Sequence, residues 1–155
     1  MADLYITLEG KAEKEERLSY LRNVRRPEVI EKVKVAREYG DLSENSEYDA
    51  AKKEQSTVET EIAQIEETLR KAIIIDTTKL SKDVVSVGST VKVYDIEFDE
   101  SEIYKIVGII ECKPDQNFVS NESPIGKALL GSKVGDIVIV KAPMGDIQLK
   151  ILEIL

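Results

Sequence analysis

Two acidic side chains in a short break between helical patterns are the residues of this sequence best suited to chemistry. Asp41 and Glu44 lie in the segment Gly-Asp-Leu-Ser-Glu-Asn-Ser, residues 40–46. Carboxylates are preferred ligands of hard divalent cations, and Mg²⁺ commonly takes one or two of them while keeping several waters. The spacing therefore predicts two carboxylates, exposed at a bend, that can help to hold a divalent cation.

The same spacing also has a purely structural explanation. An acid followed three residues later by glutamate is typical of a capping box, in which Asp41 caps the next helix and Glu44 reaches back to the Asp41 backbone. Helix N-termini favour acids in general, because of the helix dipole. From the residues alone, capping is the commoner reason for such a pattern, and the metal role stays open.

The residues after the bend predict one long helix. Mostly apolar side chains, with Gln55 as the exception, recur there at alternating intervals of three and four, which is the heptad spacing of a coiled coil. The positions are Tyr48, Ala51, Gln55, Val58, Ile62, Ile65, Leu69 and Ala72. A helix over residues 45–75, at about 1.5 Å per residue, would place the bend roughly 45 Å from the base of the helix.

The residues before the bend show the same spacing with one irregularity. The positions that follow it are Val29, Val33, Ala36 and Gly40. Leu18 and Leu21 fall one residue out of phase with them, and Pro27 lies between the two registers. Proline fits the first turn of a helix and disrupts its interior, so we expect a kink or a new helical segment there. Because the connection is short, the two helices should run antiparallel as a coiled-coil hairpin.

The second half of the chain changes from helical to strand-like patterns. Residues 76–83 are polar and indicate a linker, whereas residues 91–94 and 103–110 predict strands. Residues 137–140 are continuously apolar, as in a strand buried on both faces. A turn at residues 143–146 then leads into a further strand over residues 147–151.

One short helix interrupts these strands. Ser123 and Pro124 supply an N-cap and a proline at the first helical position, and Gly131 ends the helix. We therefore predict an α+β protein in which an antiparallel coiled-coil hairpin precedes a small antiparallel sheet with one helix. The predicted domains are the hairpin, residues 1–75, a linker, residues 76–83, and the sheet domain, residues 84–155.

Composition excludes several classes of function. The net charge of −8 over 155 residues argues against stable binding to free DNA, which needs many cations facing phosphates. Without histidine, a zinc site is improbable and histidine-based acid–base catalysis is excluded, and the single Cys112 excludes an internal disulfide. No apolar run has membrane length and no leader pattern is found, so we expect a cytoplasmic protein without membrane contact.

Three motifs carry a resemblance to a known family. They are Val-Arg-Arg-Pro-Glu at residues 24–28, Gly-Asp-Leu-Ser-Glu-Asn-Ser-Glu-Tyr at residues 40–48, and Ser-Pro-Ile-Gly-Lys-Ala-Leu-Leu-Gly at residues 123–131, followed by Gly135 and Asp136. In type and order they resemble the bacterial transcript-cleavage elongation factors, the Gre factors. The similarity extends over essentially the whole chain.

This resemblance implies a fold and a function. The second domain should have a fold similar to FK506-binding proteins and should dock on RNA polymerase, while the hairpin enters the secondary channel of the enzyme. Asp41 and Glu44 would then help to hold a Mg²⁺ ion shared with the polymerase active site and orient the attacking water at the 3′ end of backtracked RNA. The polymerase performs the hydrolysis, so the chain itself would not be an enzyme.

Further contact residues follow from the same resemblance. Arg37 and Lys52, and less strongly Lys53, lie near enough to the bend to contact phosphates of the nascent RNA. Tyr48 could stack on a base, but its heptad position favours core packing. Charged residues on helices commonly form only a solvated face, and the roles of three arginines nearer the base stay open between channel contact and solvation. These are Arg22, Arg25 and Arg26.

The docking loop is assigned in the same way. Glu122, Ser123 and Pro124 match the loop by which the family grips a coiled coil at the rim of the polymerase channel. Helix capping explains Ser123 and Pro124 equally well, so Glu122 is the residue assigned to the partner. Two other functions were weighed: a channel-occluding polymerase inhibitor of the same fold, and a hairpin chaperone or adaptor. Such inhibitors carry a denser acidic tip, and a chaperone tip should be apolar, where this one offers only Leu42.

Overall fold

Two units make up the part of the chain that the computed structural model describes, residues 3–38 and 46–155. One unit is Lys11–Lys71, and the other combines the chain up to Gly10 with Ala72–Leu155. The first unit is helical and the second contains the strands. The predicted α+β class with an N-terminal helical hairpin is confirmed.

The helical unit consists of two arms that run antiparallel. The first arm comprises α1 (Leu8–Tyr20), a π-helical turn (Leu21–Arg25) and α2 (Arg26–Glu38), and the second arm is α3 (Ser46–Lys71). Arg26 pairs with Glu59 and Lys32 pairs with Glu54. Partner numbers on α3 fall as those on α2 rise, which defines the antiparallel arrangement.

Most of the predicted heptad positions form the core between the arms, whereas Gln55 belongs to neither cluster and Ala72 lies beyond the end of α3. One cluster contains Leu18, Leu21, Val29, Val58, Ile62 and Ile65, with Leu69 packed against it. A second cluster contains Val33, Ala36 and Ala51, with Tyr48 packed against it. Gly40, also predicted for this seam, lies outside the described residues. Packing of this apolar stripe, rather than helix propensity, supplies most of the stability of such helices.

The phase shift in the first arm corresponds to the π-helical turn. Leu21 and Val29 are both 1% exposed although they are eight residues apart, one more than a heptad. The Arg26 N–H donates to the Leu21 carbonyl, five residues back, so the wider turn takes up the extra residue. Pro27 is the second residue of α2, where a missing N–H is tolerated. Arg26 keeps helical φ and ψ, so the arm continues through Pro27, and the predicted new segment is the return from π-helical to α-helical turns.

The second arm ends earlier than predicted. The predicted helix over residues 45–75 is observed as Ser46–Lys71, and Ile73–Ile75 form a strand, β2. β2 pairs in parallel with β1 (Tyr5–Thr7), with Tyr5 opposite Ile73. Three consecutive β-branched residues favour the extended conformation, and pairing with β1 satisfies backbone hydrogen bonds of this strand.

Five strands form the main sheet, in the order β5-β4-β3-β7-β6. They are β3 (Thr90–Asp95), β4 (Glu100–Val107), β5 (Phe118–Ser120), β6 (Ile137–Ala142) and β7 (Gly145–Ile154). Three of the four pairings are antiparallel, as predicted, whereas β5 lies parallel to β4. The predicted strand over residues 103–110 begins earlier and ends at Val107, because Ile109–Glu111 form a 3₁₀ turn.

One face of this sheet is covered by the predicted helix, α4 (Pro124–Leu129), which packs on the core. The buried core residues are Val85, Val91, Val93, Ile106, Leu129, Val140, Leu149, Ile151 and Ile154. The expectation of a strand buried on both faces over residues 137–140 is wrong. β6 is an edge strand, and Ile137 and Ile139 are 58% and 53% exposed on its outer face.

The boundaries of the two units differ from the predicted domains. Residues 3–10 and 72–75 group with the sheet rather than with the predicted hairpin domain, residues 1–75. The physical reason is that β1 pairs with β2 and that Thr7 of β1 bonds to Glu111, which joins both segments to the sheet unit. Within the predicted linker, residues 76–83, the Asp76 side chain caps a 3₁₀ turn, Thr77–Lys79.

Replacing Leu21 by alanine should destabilise the hairpin by about 2–5 kcal/mol, because it removes a fully buried side chain at the register shift. Val24 is 44% exposed in the same π-helical turn, so Val24→Ala is the matched control and should cost less than about 1 kcal/mol. Chemical denaturation of the full chain, followed by helical circular dichroism, measures both. Equal losses for the two variants would contradict the assigned packing.

Candidate functional site

The predicted catalytic pair lies outside the described residues. Asp41 and Glu44 belong to residues 39–45, which connect α2 to α3 in sequence. Over residues 3–38 and 46–155, no group of three or more histidine, cysteine, aspartate or glutamate side chains is arranged to hold a metal ion. The metal role of Asp41 and Glu44 therefore stays a prediction.

Arg37 is held by an aromatic side chain across the two arms. Its Nη2 donates to the Tyr48 hydroxyl at 3.4 Å, and its guanidinium carbon lies 5.8 Å from the centre of the Tyr48 ring. Tyr48 is half-buried and packs against the Val33, Ala36 and Ala51 cluster. The heptad position of Tyr48 predicts core packing. The packed ring also orients the exposed Arg37 guanidinium near the end of α2.

The other predicted RNA contacts lie on the exposed face of α3. Lys52 donates to the Gln55 side-chain oxygen at 3.1 Å, and Lys53 is exposed one residue further on. Within the described ranges, no ion pair joins Lys52 or Arg37 to a carboxylate. Among the described residues, an anionic ligand would therefore displace no carboxylate from either side chain.

The arginines nearer the base are arranged differently, since each pairs with a glutamate of α3. Arg26 Nε lies 2.7 Å from Glu59 Oε1, Arg22 pairs with Glu66, and Arg25 pairs with Glu54. The two alternatives left open for these arginines were channel contact and solvation. The structure adds a third role, because all three cross-link the arms of the hairpin.

These pairs also shift the titration of their members. Hydrogen bonds from Arg25, and then from Lys32, lower the pKa of the Glu54 carboxyl, and the bond to Glu54 raises the pKa of Arg25. The groups are partly or largely exposed to solvent, so each pair adds little stability. The pairs instead determine which positive charges are accessible. An RNA phosphate would have to displace a glutamate to bind Arg22, Arg25 or Arg26.

The predicted docking loop is a closely hydrogen-bonded turn. Ser123 caps α4, accepting from the Gly126 N–H at 3.1 Å, and its hydroxyl donates to the Ser120 carbonyl at 2.6 Å. Pro124 is the first residue of α4, so the capping explanation of Ser123 and Pro124 is confirmed. A Cβ on Gly126 would overlap the Ser120 carbonyl, which explains glycine at this position.

Glu122 projects from this turn into solvent. Its N–H donates to the Ser120 hydroxyl at 3.0 Å, which fixes the backbone. The Glu122 side chain is exposed, and among the described residues no ion pair involves its carboxylate. A rigid backbone that presents an unpaired carboxylate is suited to a cationic or hydrogen-bond-donating partner.

A small cavity of about 70 Å³ opens on the helix-covered face of the sheet. Its lining includes Val93, Tyr104 and Ile125, together with the carboxylates of Glu100 and Glu102. Burial, and then a hydrogen bond to Glu102, raises the pKa of Tyr104. The aromatic residues of this unit do not gather around the cavity: Phe98 is 65% exposed and Phe118 packs against lysines.

One pair of polar residues was missed by the sequence analysis. Thr7 and Glu111 are joined by two hydrogen bonds, of 2.8 and 2.6 Å, at the start of α1. Thr7 carries a sequence signal, since threonine directly before a helical segment is a common N-cap. Glu111 carries none, because the two residues are separated by 104 positions.

Comparison with known proteins covers both units. A family model described as "Transcription elongation factor, N-terminal" matches residues 4–74, and one described as "Transcription elongation factor, GreA/GreB, C-term" matches residues 80–155. Among the described residues, no helix is both long and apolar enough to cross a membrane.

Individual relatives match over nearly their full length. Transcription elongation factor GreA of Thermoanaerobacter pseudethanolicus is 56% identical over 149 residues, covering 96% of this chain and 95% of the relative. That of Halalkalibacterium halodurans is 51% identical over 150 residues, covering 97% and 95%. Among solved structures, GreA factor homolog 1 of Thermus thermophilus is 28% identical and covers 99% of both chains, with a TM-score of 0.45.

Proposed function

The chain belongs to the GreA/GreB family of transcription elongation factors, and from this premise we propose that it binds bacterial RNA polymerase and stimulates cleavage of backtracked RNA. The observation that carries the proposal is a match of more than 50% identity over both units, in a chain whose two helical arms flank Asp41 and Glu44. Such a factor works in the cytoplasm, where the polymerase is.

The two units suit a division of labour. The sheet unit presents Glu122 on the rigid loop that ends in Ser123 and Pro124, and we assign docking on the polymerase to this loop. The helical unit delivers the tip through the secondary channel to the active centre. With 26 residues, α3 is about 39 Å long, a length suited to reaching a buried site from outside.

The tip has the donor chemistry for a shared metal ion. Two carboxylates fit the preference of Mg²⁺ for one or two such ligands, and the described residues offer no cluster that would complete the site. The remaining ligands would come from the polymerase. When bound, the ion activates the nucleophile and stabilises charge on the cleaved phosphodiester. The chain supplies Asp41 and Glu44, and the polymerase performs the cleavage.

RNA contact is confined to the tip end of the hairpin. Arg37, oriented by Tyr48, and Lys52 carry charges that no glutamate of the described residues neutralises, whereas Arg22, Arg25 and Arg26 are paired. We assign Arg37 and Lys52 to phosphates near the extruded 3′ end. The relatives give no support to the other two functions considered, a channel-occluding inhibitor and a hairpin chaperone or adaptor.

Asp41→Asn should lower stimulated cleavage by about tenfold or more, since it removes a ligand charge while asparagine caps a helix as well as aspartate does. The assay adds pure full-length protein to a backtracked elongation complex with labelled RNA and follows transcript shortening. Asp49→Asn makes the same charge change in the first turn of α3 and should retain cleavage.

Polymerase affinity of the Asp41→Asn protein should stay within about twofold of the wild type, because docking is assigned to the other unit. If the wild-type protein does not shorten the transcript, the proposed function is wrong. Full shortening by the Asp41→Asn, Glu44→Gln double variant would remove the metal-ligand assignment alone.

Glu122→Lys should weaken polymerase binding by about tenfold or more, because it reverses a charge at the proposed contact. Glu97→Lys reverses an exposed charge on the same unit, away from the docking loop, and is the matched control. Competition of each variant with labelled wild-type protein for polymerase measures the affinity. Equal affinities of the Glu122→Lys and wild-type proteins would place the contact elsewhere.

A further inference from the structure

The start of α1 is capped by a residue from far along the chain. Thr7 is 1% exposed, and its Oγ1 accepts a hydrogen bond from the Gly10 N–H at 3.1 Å, as an N-cap does. The same hydroxyl donates to Glu111 Oε1 at 2.6 Å, and the Thr7 N–H donates to Glu111 Oε2 at 2.8 Å. Glu111 thus binds both polar donors of Thr7.

Glu111 takes the role that a neighbouring residue has in an ordinary capping box. In that motif, a glutamate or glutamine three residues after the cap accepts a hydrogen bond from the N–H of the capping residue. Here that position is Gly10, and Glu111 supplies the carboxylate instead. A Cβ on residue 10 would overlap this carboxylate, so the glycine leaves room for the distant glutamate.

A second close approach joins the same two segments. A Cβ on Gly108 would overlap the Tyr5 carbonyl oxygen, so the segment before Glu111 lies directly against β1. The chain leaves the sheet unit after Gly10 and returns to it at Ala72, next to β2. Because β1 pairs with β2, the strand before the hairpin and the strand after it lie side by side, and Glu111 is bonded to the first of them.

The segment that carries Glu111 also supports the proposed docking loop. The Asn121 N–H donates to the Val107 carbonyl at 2.8 Å, and Ser120 lies opposite Val107 in the β4–β5 pairing. Glu111 follows in the next turn, where its N–H donates to the Gly108 carbonyl at 3.1 Å. Hydrogen bonds within the sheet unit therefore connect the docking loop to the first turn of α1.

We propose that Glu111 is a positioning residue for stimulated cleavage and acts through Thr7, an inference that rests on the function proposed above. The Glu111 carboxylate fixes the first turn of α1, through which the chain passes from the unit that docks into the first arm. The tip carboxylates then reach the reacting phosphodiester at a higher effective concentration. Loss of the Thr7–Glu111 contact leaves docking intact and slows cleavage by the docked factor.

Four variants of the full-length protein test this role. Thr7→Val keeps the shape of the side chain but removes the hydroxyl, whereas Thr7→Ser keeps every hydrogen bond and is the matched control. Glu111→Ala removes the carboxylate. Glu111→Gln is the milder change, because its amide oxygen can accept from the Thr7 hydroxyl while its NH₂ cannot accept from the Thr7 N–H.

Three readouts separate positioning from folding and from docking. In the free protein, amide hydrogen exchange at Gly10 should be about fivefold faster in Thr7→Val and Glu111→Ala, the change expected for a lost N-cap. Affinity for polymerase should stay within about twofold. At saturating factor, the rate of transcript shortening should fall by about tenfold, because small displacements of positioned groups are costly. Glu111→Gln should lie in between and Thr7→Ser should match the wild type.

Wild-type cleavage rates at saturation in Thr7→Val and Glu111→Ala, with faster Gly10 exchange, would overturn the positioning role while leaving the proposed function standing. Rates that fall only in proportion to affinity would overturn it as well, because the contact would then act on docking. If Glu111→Ala does not fold, Glu111→Gln and Thr7→Val decide by the same criteria. If the wild-type protein shortens no transcript, the proposed function is wrong, and so is this inference.

Discussion

The apolar seam between the two helical arms is the interaction on which the rest of the structure depends. Neither arm carries enough apolar surface to be stable alone, and each buries its stripe only against the other. The seam must stay in register past the extra residue that precedes Pro27. The π-helical turn at Leu21–Arg25 keeps it so, placing Leu21 and Val29 in the same core cluster.

Charge distribution follows from this geometry. Because the arms are antiparallel and in register, arginines on the first arm meet glutamates on the second, as in the Arg26–Glu59 pair. Positive charge along the middle of the hairpin is thereby cancelled within the protein, in a chain with a net charge of −8. Arg37 and Lys52 have no such partner among the described residues, and they are close in sequence to Asp41 and Glu44, one on each side. Both arms thus carry, close in sequence to the acidic segment, a positive charge that no described carboxylate pairs with.

Local patterns predicted the features that depend on local physics. Heptad spacing identified both arms, and the cap at Ser123 and Pro124 identified α4, because each signal lies within a few residues. Features that depend on distant partners were missed: Ile73–Ile75 leave the helical pattern because β1 pairs with them, and Ile139 is exposed because β6 has no neighbour on one side. Glu111 could not be found from sequence, since its partner Thr7 lies 104 residues away. The roles of Asp41 and Glu44 rest on their chemistry and on the family, because they lie outside the described residues.

The central claim is that the tip carboxylates complete a metal site of the polymerase, and the Mg²⁺ dependence of cleavage tests it most directly. Backtracked elongation complexes are titrated with Mg²⁺ in the absence of the factor and at saturating factor. If the claim holds, the factor should lower the Mg²⁺ concentration for half-maximal cleavage, so that its advantage shrinks as Mg²⁺ rises. A factor that multiplies the rate equally at every Mg²⁺ concentration, with the half-maximal concentration unchanged, would contradict it.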